Sequence, residues 1–168
     1  MAEATIRRMT FEDAEGVTDV LIHTWQTAYR GIVSDECLDH LDRPELIERR
    51  KKQYKDYIVA SLEDRIVGYC WYVGDNSFSK ETPEIDSEIV ALYVLPEVKR
   101  KGIGRALFEH TWEDLKKQGR KKMVIWCLKE NFPARKFYEQ MGGVIFGEHI
   151  THIGNQDYDE VGFLYDIS

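Results

Sequence analysis

The chain has 168 residues, 43% of them hydrophobic and 32% charged, with a formal net charge of -7. At about 150 residues per domain, this predicts one domain over residues 1–168 with enough apolar material for a core. A membrane helix is excluded because no run approaches the roughly 18 apolar residues it needs, and the first ten residues lack a signal-peptide centre.

In chain order, Ala4 to Met9 reads as the first strand, around Ile6. Thr10 and Asp13 form a capping-box pattern. Val17, Val20, Leu21, Thr24, Trp25 and Ala28 then recur at helical spacing as far as about Tyr29, and Gly31 ends the helix. Ser34 opens a short helix, and Arg43 to about Lys52 is a third, highly charged one. The β-branched and aromatic runs Tyr57–Leu62 and Arg65–Val73 read as a hairpin turning at Glu63-Asp64. Residues 76–83 are polar and read as a loop. Glu84–Leu95 reads as a long central strand stopped by Pro96.

Gly102 or Ile103 opens a helix to about Gln118, with Gly119 as its C-cap. Lys122–Leu128 is a continuous apolar run, the pattern of a strand buried on both faces. Pro133 stands in the first turn of another helix, closed by Gly142-Gly143. Val144–Ile150 and Tyr158–Ile167 read as a last antiparallel pair. The order β-α-α-α-β-β-β-α-β-α-β-β predicts a mixed α/β sheet with helices on both faces.

Charge is unevenly spread. Between Glu97 and Lys122 there are nine Lys/Arg and four carboxylates, which leaves -12 for the rest of the chain. An acidic body argues against nonspecific nucleic-acid binding. A basic island suits a small anionic ligand, though a solvated charged face would read the same way. Within the island, a strand ends at Leu92-Tyr93-Val94-Leu95-Pro96, the loop Lys99-Arg100-Lys101-Gly102 follows, and a helix begins at Ile103-Gly104-Arg105. Unpaired amides at a helix N-terminus, glycines that admit close approach and four cationic side chains suit a phosphate or pyrophosphate, while Gly102 and Gly104 taken alone read equally as residues that only shape a loop–helix junction. The P-loop pattern GxxxxGK[ST] is absent, and a dinucleotide fingerprint would need glycine where Leu107 stands.

The same segment resembles motif A of the GCN5-related N-acetyltransferase (GNAT) family, Arg/Gln-x-x-Gly-x-Gly/Ala after a Leu-Tyr-Val-x-Pro strand. Lys99 departs from its first position. Downstream, Asn131-Phe-Pro-Ala134-Arg-Lys-Phe137-Tyr138-Glu-Gln-Met141-Gly142 is similar to the family's motif B, Asn-x-x-Ala-x-x-Phe-Tyr-x-x-x-Gly-Phe. Gly143 replaces its final Phe.

The resemblance implies a mixed, mostly antiparallel sheet of six to seven strands and an acetyl-CoA-dependent N-acetyltransferase. By this resemblance acetyl-CoA lies in a V-shaped gap between the strand before motif A and the strand after it. Backbone groups of Leu92, Tyr93 and Val94 would meet the pantetheine arm. Lys99, Arg100, Lys101, Gly102, Ile103, Gly104 and Arg105 would cradle the pyrophosphate. Asn131 would bond the cofactor arm, and Tyr138 would serve as general acid to the departing thiolate. Glu88 would be the general base, with Asp86 as its competitor.

Acceptors in such proteins meet the first helices and the last hairpin. His23 to Ile32 is similar to a stretch in the branch that includes polyamine acetyltransferases, so Trp25 and Tyr29 are candidate acceptor-binding residues. They stand four apart on one helix face and could equally pack on the sheet. Asp157 and Asp159, flanking Tyr158, are further candidates for contact with the acceptor amine. The implied acceptor is the primary amine of a small, polyamine-like molecule or of a peptide. The competing reading is a noncatalytic acyl-CoA sensor on the same fold. Homodimers are frequent among relatives.

No metal is expected. His149 and His152, three apart in a strand, point to opposite faces. Three cysteines without a CxxC pair predict neither a disulfide framework nor a zinc site, and suit a reducing cytoplasm.

Overall fold

Polar turn and cap residues cut the chain into the predicted order of elements in the computed structural model, which describes residues 3–76 and 81–168. The strands are β1 (Thr5–Arg8), β2 (Tyr57–Leu62), β3 (Arg65–Val73), β4 (Ser87–Val94), β5 (Lys122–Leu128), β6 (Val144–Ile153) and β7 (Gln156–Asp166). The helices are α1 (Ala14–Ala28), α2 (Asp35–Asp39), α3 (Arg43–Gln53), α4 (Ile103–Lys117) and α5 (Phe132–Gln140). Hydrogen-bonded neighbours give a seven-stranded sheet in the order β1-β2-β3-β4-β5-β7-β6. β4 and β5 run parallel, and the pairs β1/β2, β2/β3, β5/β7 and β6/β7 are antiparallel. The result is a mixed, mostly antiparallel α/β fold.

The chain forms two compact units, Met1–Tyr72 with Ala91–Thr111, and Val73–Val90 with Trp112–Ser168. In the first, the Thr10 amide donates to Asp13 Oδ2 at 2.8 Å, and Arg7 Nη1 reaches the same oxygen at 2.7 Å. A single 3-10 turn, Phe11–Asp13, therefore precedes α1. Ser34 Oγ accepts from the Cys37 amide at 3.3 Å, and Asp42 Oδ1 accepts from the Glu45 amide at 3.1 Å, so α2 and α3 start on side-chain caps. Val17, Leu38, Ile58, Val59 and Leu107 are buried in this unit. Gly68 on β3 has no room for a side chain. A Cβ there would lie 3.0 Å from Tyr93 O and 3.3 Å from Leu107 Cδ1.

In the second unit Ile89, Leu115, Met123, Ile125, Phe163 and Ile167 are buried. The strand expected from Glu84 begins three residues later, at Ser87. The Ile85 amide turns back to Thr82 O at 3.0 Å, which curls the chain before the sheet can take it. β6 and β7 extend beyond their predicted ends. A tight turn at Gly154-Asn155 keeps them paired from Val144↔Leu164 out to Ile153↔Gln156. Part of the predicted 76–83 loop, residues 77–80, lies outside the described residues.

Candidate active site

The predicted anion loop leaves β4 through a 3-10 turn, Pro96–Val98. Lys99, Arg100 and Lys101 are exposed. Arg100 and Gly102 adopt left-handed conformations, φ 65° and 78°. The second is where glycine is required. These turns bring the chain into the 15-residue α4, and the Ala106 amide makes a helical bond, 2.9 Å to Gly102 O. The amides of Ile103, Gly104 and Arg105 fall in the first turn, where an α-helix has no internal partner for them. Positive partial charge and full cationic charge therefore coincide, and the loop fits a diphosphate. Arg105 also faces Glu109, one helical turn on, at 3.6 Å.

Leu92, Tyr93 and Val94 form the end of β4, and the following amide, Leu95 N–H, donates to Val67 O at 2.8 Å. The Tyr93 side chain makes its own contacts. Its hydroxyl accepts from Trp25 Nε1 at 3.1 Å and lies 3.3 Å from the Tyr29 hydroxyl. The Trp25 and Tyr29 rings are 5.1 Å apart. The two candidate acceptor residues, Trp25 on α1 and Tyr29 at its C-cap, are thus joined to the strand predicted to carry the cofactor. A surface groove of about 400 Å³ in the same unit is lined by Asp19, His23, Arg43, Arg65 and Glu97 among others, and by none of the predicted site residues.

Glu88, Asn131 and Tyr138 lie in the second unit. Glu88 is 5% exposed and opposite Val124 in the β4/β5 register. Asp86 is engaged elsewhere. Its carboxylate accepts from the Lys121 amide at 3.0 Å and the Lys122 amide at 3.0 Å, anchoring the start of β5. Asn131 caps α5 through Oδ1, which accepts from the Ala134 amide at 3.4 Å. That leaves Nδ2, a donor, as the group suited to a ligand carbonyl. Tyr138 is buried beside Phe163, with 5.8 Å between ring centroids. Its carbonyl accepts from the Tyr165 hydroxyl at 2.6 Å and the Gly143 amide at 3.1 Å, which fixes the end of α5.

The β6/β7 register places His149 opposite Glu160 and His152 opposite Asp157. The side chains pair at 2.7 and 2.8 Å, and His149 stacks on Trp126 at 3.8 Å. Each histidine's partner lies on the neighbouring strand, and the turn between them sets the register that joins the pair. Asp157 is thus paired with His152, and Asp159 and Tyr158 are its neighbours on β7. Among the described residues no group of three His, Cys, Asp or Glu side chains gathers as a metal site. No helix among them is long and apolar enough to cross a membrane.

Residues 19–143 match the acetyltransferase (GNAT) family. The chain belongs to the GNAT family. Among its relatives, an uncharacterized N-acetyltransferase of Bacillus subtilis, YuaI, is 26% identical over 160 residues, 94% of this chain and 90% of that protein. The spermidine N(1)-acetyltransferase of Thermoplasma acidophilum is 24% identical over 141 residues, 82% of this chain and 86% of that protein. In fold, this GNAT chain is similar to PaiA N-acetyltransferase from Thermoplasma acidophilum, solved in complex with coenzyme A. The TM-score is 0.72 at 20% identity, over 97% of this chain and 99% of that one. It is also similar to yncA from Salmonella typhimurium, solved with its cofactor acetyl-CoA. There the TM-score is 0.72 at 18% identity, over 99% and 95% of the two chains.

Proposed function

We propose that the protein transfers the acetyl group of acetyl-CoA to the primary amine of a small molecule or peptide. The observation that carries this reading is the exposed Lys99-Arg100-Lys101 loop turning through Gly102 into the first turn of α4, in a chain that matches the family over residues 19–143. Two structural neighbours were solved with coenzyme A or acetyl-CoA, which supports the choice of nucleotide. The three thiols, none in a disulfide, suit a reducing cytoplasm.

In this reading the loop and helix amides from Lys99 to Arg105 hold the diphosphate. The strand end Leu92-Tyr93-Val94 aligns the pantetheine arm, and Asn131 Nδ2 bonds it. The amine nitrogen bonds to the thioester carbonyl carbon as the carbon–sulfur bond breaks. A proton leaves the amine, and the thiolate receives one. Glu88 accepts the first proton; Asp86, the other candidate base, has both oxygens on backbone amides. The Tyr138 hydroxyl delivers the second. An amide near Val94 stabilises the charge on the thioester oxygen. Trp25 and Tyr29 flank the amine. The -12 charge outside the basic segment favours cationic acceptors, and the spermidine-acetylating relative supports a polyamine-like amine.

The test measures acetyl-CoA binding by calorimetry and coenzyme A release against a panel of amines. Binding with turnover upholds the reading. Binding without turnover on any amine reduces the protein to an acyl-CoA sensor, and no binding removes the loop assignment.

A further inference from the structure

Strands β2 and β3 and helix α3 carry a cluster that acetyl transfer leaves unused. Tyr57 and Trp71 are register partners and stack, with 5.3 Å between centroids and 11° between planes. Tyr69, on the same face two residues before Trp71, lies 5.6 Å from Tyr57. The Arg50 guanidinium sits over both stacked rings, 5.7 Å from Tyr57 and 5.9 Å from Trp71. Tyr57 and Tyr69 are fully buried, and Arg50 is 7% exposed. Tyr57 Oη, Tyr69 Oη, Trp71 Nε1 and Arg50 Nε are all shielded from solvent without a hydrogen-bond partner. Arg50 reaches Gln53 Oε1 at 3.4 Å. Among the described residues, no carboxylate pairs with it.

A buried cation without a counter-charge, beside orphaned polar groups, is expensive to keep. Its composition indicates what it is kept for. An arginine Nε–H and an indole N–H only donate, and a phenol can donate. Burial pushes both tyrosine hydroxyls up, so they stay protonated. Four unpartnered donors gathered in one cluster, with one positive charge, match a ligand that only accepts and carries one negative charge. The cluster is continuous with the acceptor aromatics. Tyr69 meets Tyr93 edge-on at 5.5 Å, and Tyr93 holds Trp25.

We propose that Arg50, Tyr57, Tyr69 and Trp71 form a subsite for a carboxylate carried by the acceptor, which makes that acceptor an amino acid or a short peptide. The proposal rests on the acetyl-transfer reading and, of the acceptors that reading admits, selects the amino-acid or peptide amine over the polyamine-like one. A polyamine would bring further positive charge toward an unpaired guanidinium.

The experiment uses the full chain with matched probes: L-amino acids, their C-terminal amides, and spermidine. Coenzyme A release gives kcat and KM, and calorimetry without acetyl-CoA gives binding of the same probes. In the wild type, at least one amino acid is expected to exceed its amide by about tenfold or more in kcat/KM, as suits a charge-assisted bond. Arg50→Gln is expected to erase that ratio through KM while acetyl-CoA affinity stays unchanged. Arg50→Lys, which keeps the charge but not the fork, is expected to retain part of it. Tyr69→Phe removes one hydroxyl and is expected to weaken the carboxylate preference severalfold in a chain that folds even if Arg50→Gln does not.

Spermidine or the amides acting as well as the carboxylates would overturn the subsite while leaving acetyl transfer intact. If no probe turns over, the calorimetric difference between amino acid and amide still decides. Its absence overturns the subsite. Its presence upholds the subsite while the transfer reading falls.

Discussion

Asp86 and Glu88 are two carboxylates with different surroundings, and the difference sets their expected roles. Asp86 holds two backbone amides at the start of β5, whereas Glu88 is buried on β4. Asp86→Ala should therefore lower stability by about 1 kcal/mol, the net worth of hydrogen bonds to exposed and half-buried amides, and leave kcat nearly unchanged. Glu88→Gln should lower kcat and preserve the melting temperature. Tyr138→Phe should reduce kcat by about a hundredfold or more, in the range of a lost general acid, with little change in acetyl-CoA affinity. Equal loss of kcat and affinity would make Tyr138 a packing residue. Tyr69→Phe should raise stability by about 1 kcal/mol, because it deletes a buried hydroxyl that has no partner. Urea unfolding checks each stability claim.

At the scale of elements, the β1–α1 junction depends on one carboxylate. Burial pushes the Asp13 pKa up, but the Arg7 guanidinium and the Thr10 amide outweigh this and hold it below the usual carboxylate range. The stabilisation is complete above the unfolded pKa of about 4 and is lost as pH falls through the lower folded value. Asp13→Ala should cost about 1 kcal/mol at neutral pH, as lost caps do. The gap to wild type should close below about pH 4. Thr10, Ser34 and Pro133 made their helices legible in the sequence, since a cap acts within three or four residues of itself. The loop from Lys99 to Gly104 was legible for the same reason: strand end, turn and helix start are contiguous. The Arg50 cluster was not. Arg50 reads as one cation on a charged helix, and Tyr57, Tyr69 and Trp71 read as ordinary strand aromatics. Only the β2/β3 register and the placement of α3 bring them together.

Across the whole molecule, buried thiols and separated charge set two further expectations. Burial pushes Cys70 and Cys127 up to about 12, while Cys37 is partly exposed. A chromogenic disulfide reagent should titrate one thiol in the native protein and three in denaturant. Coenzyme A binding should weaken as salt rises, since a basic island in an acidic chain attracts the nucleotide across solvent. The contact at Gly68 extends beyond its own strand. Adding one methyl group would wedge Tyr93 on one side and the first turns of α4, through Leu107, on the other. The alcove proposed for the amine and the helix proposed for the diphosphate would both be jostled by a substitution touching neither ligand. A screen for lost activity would then flag position 68 as though it lined the reaction chamber.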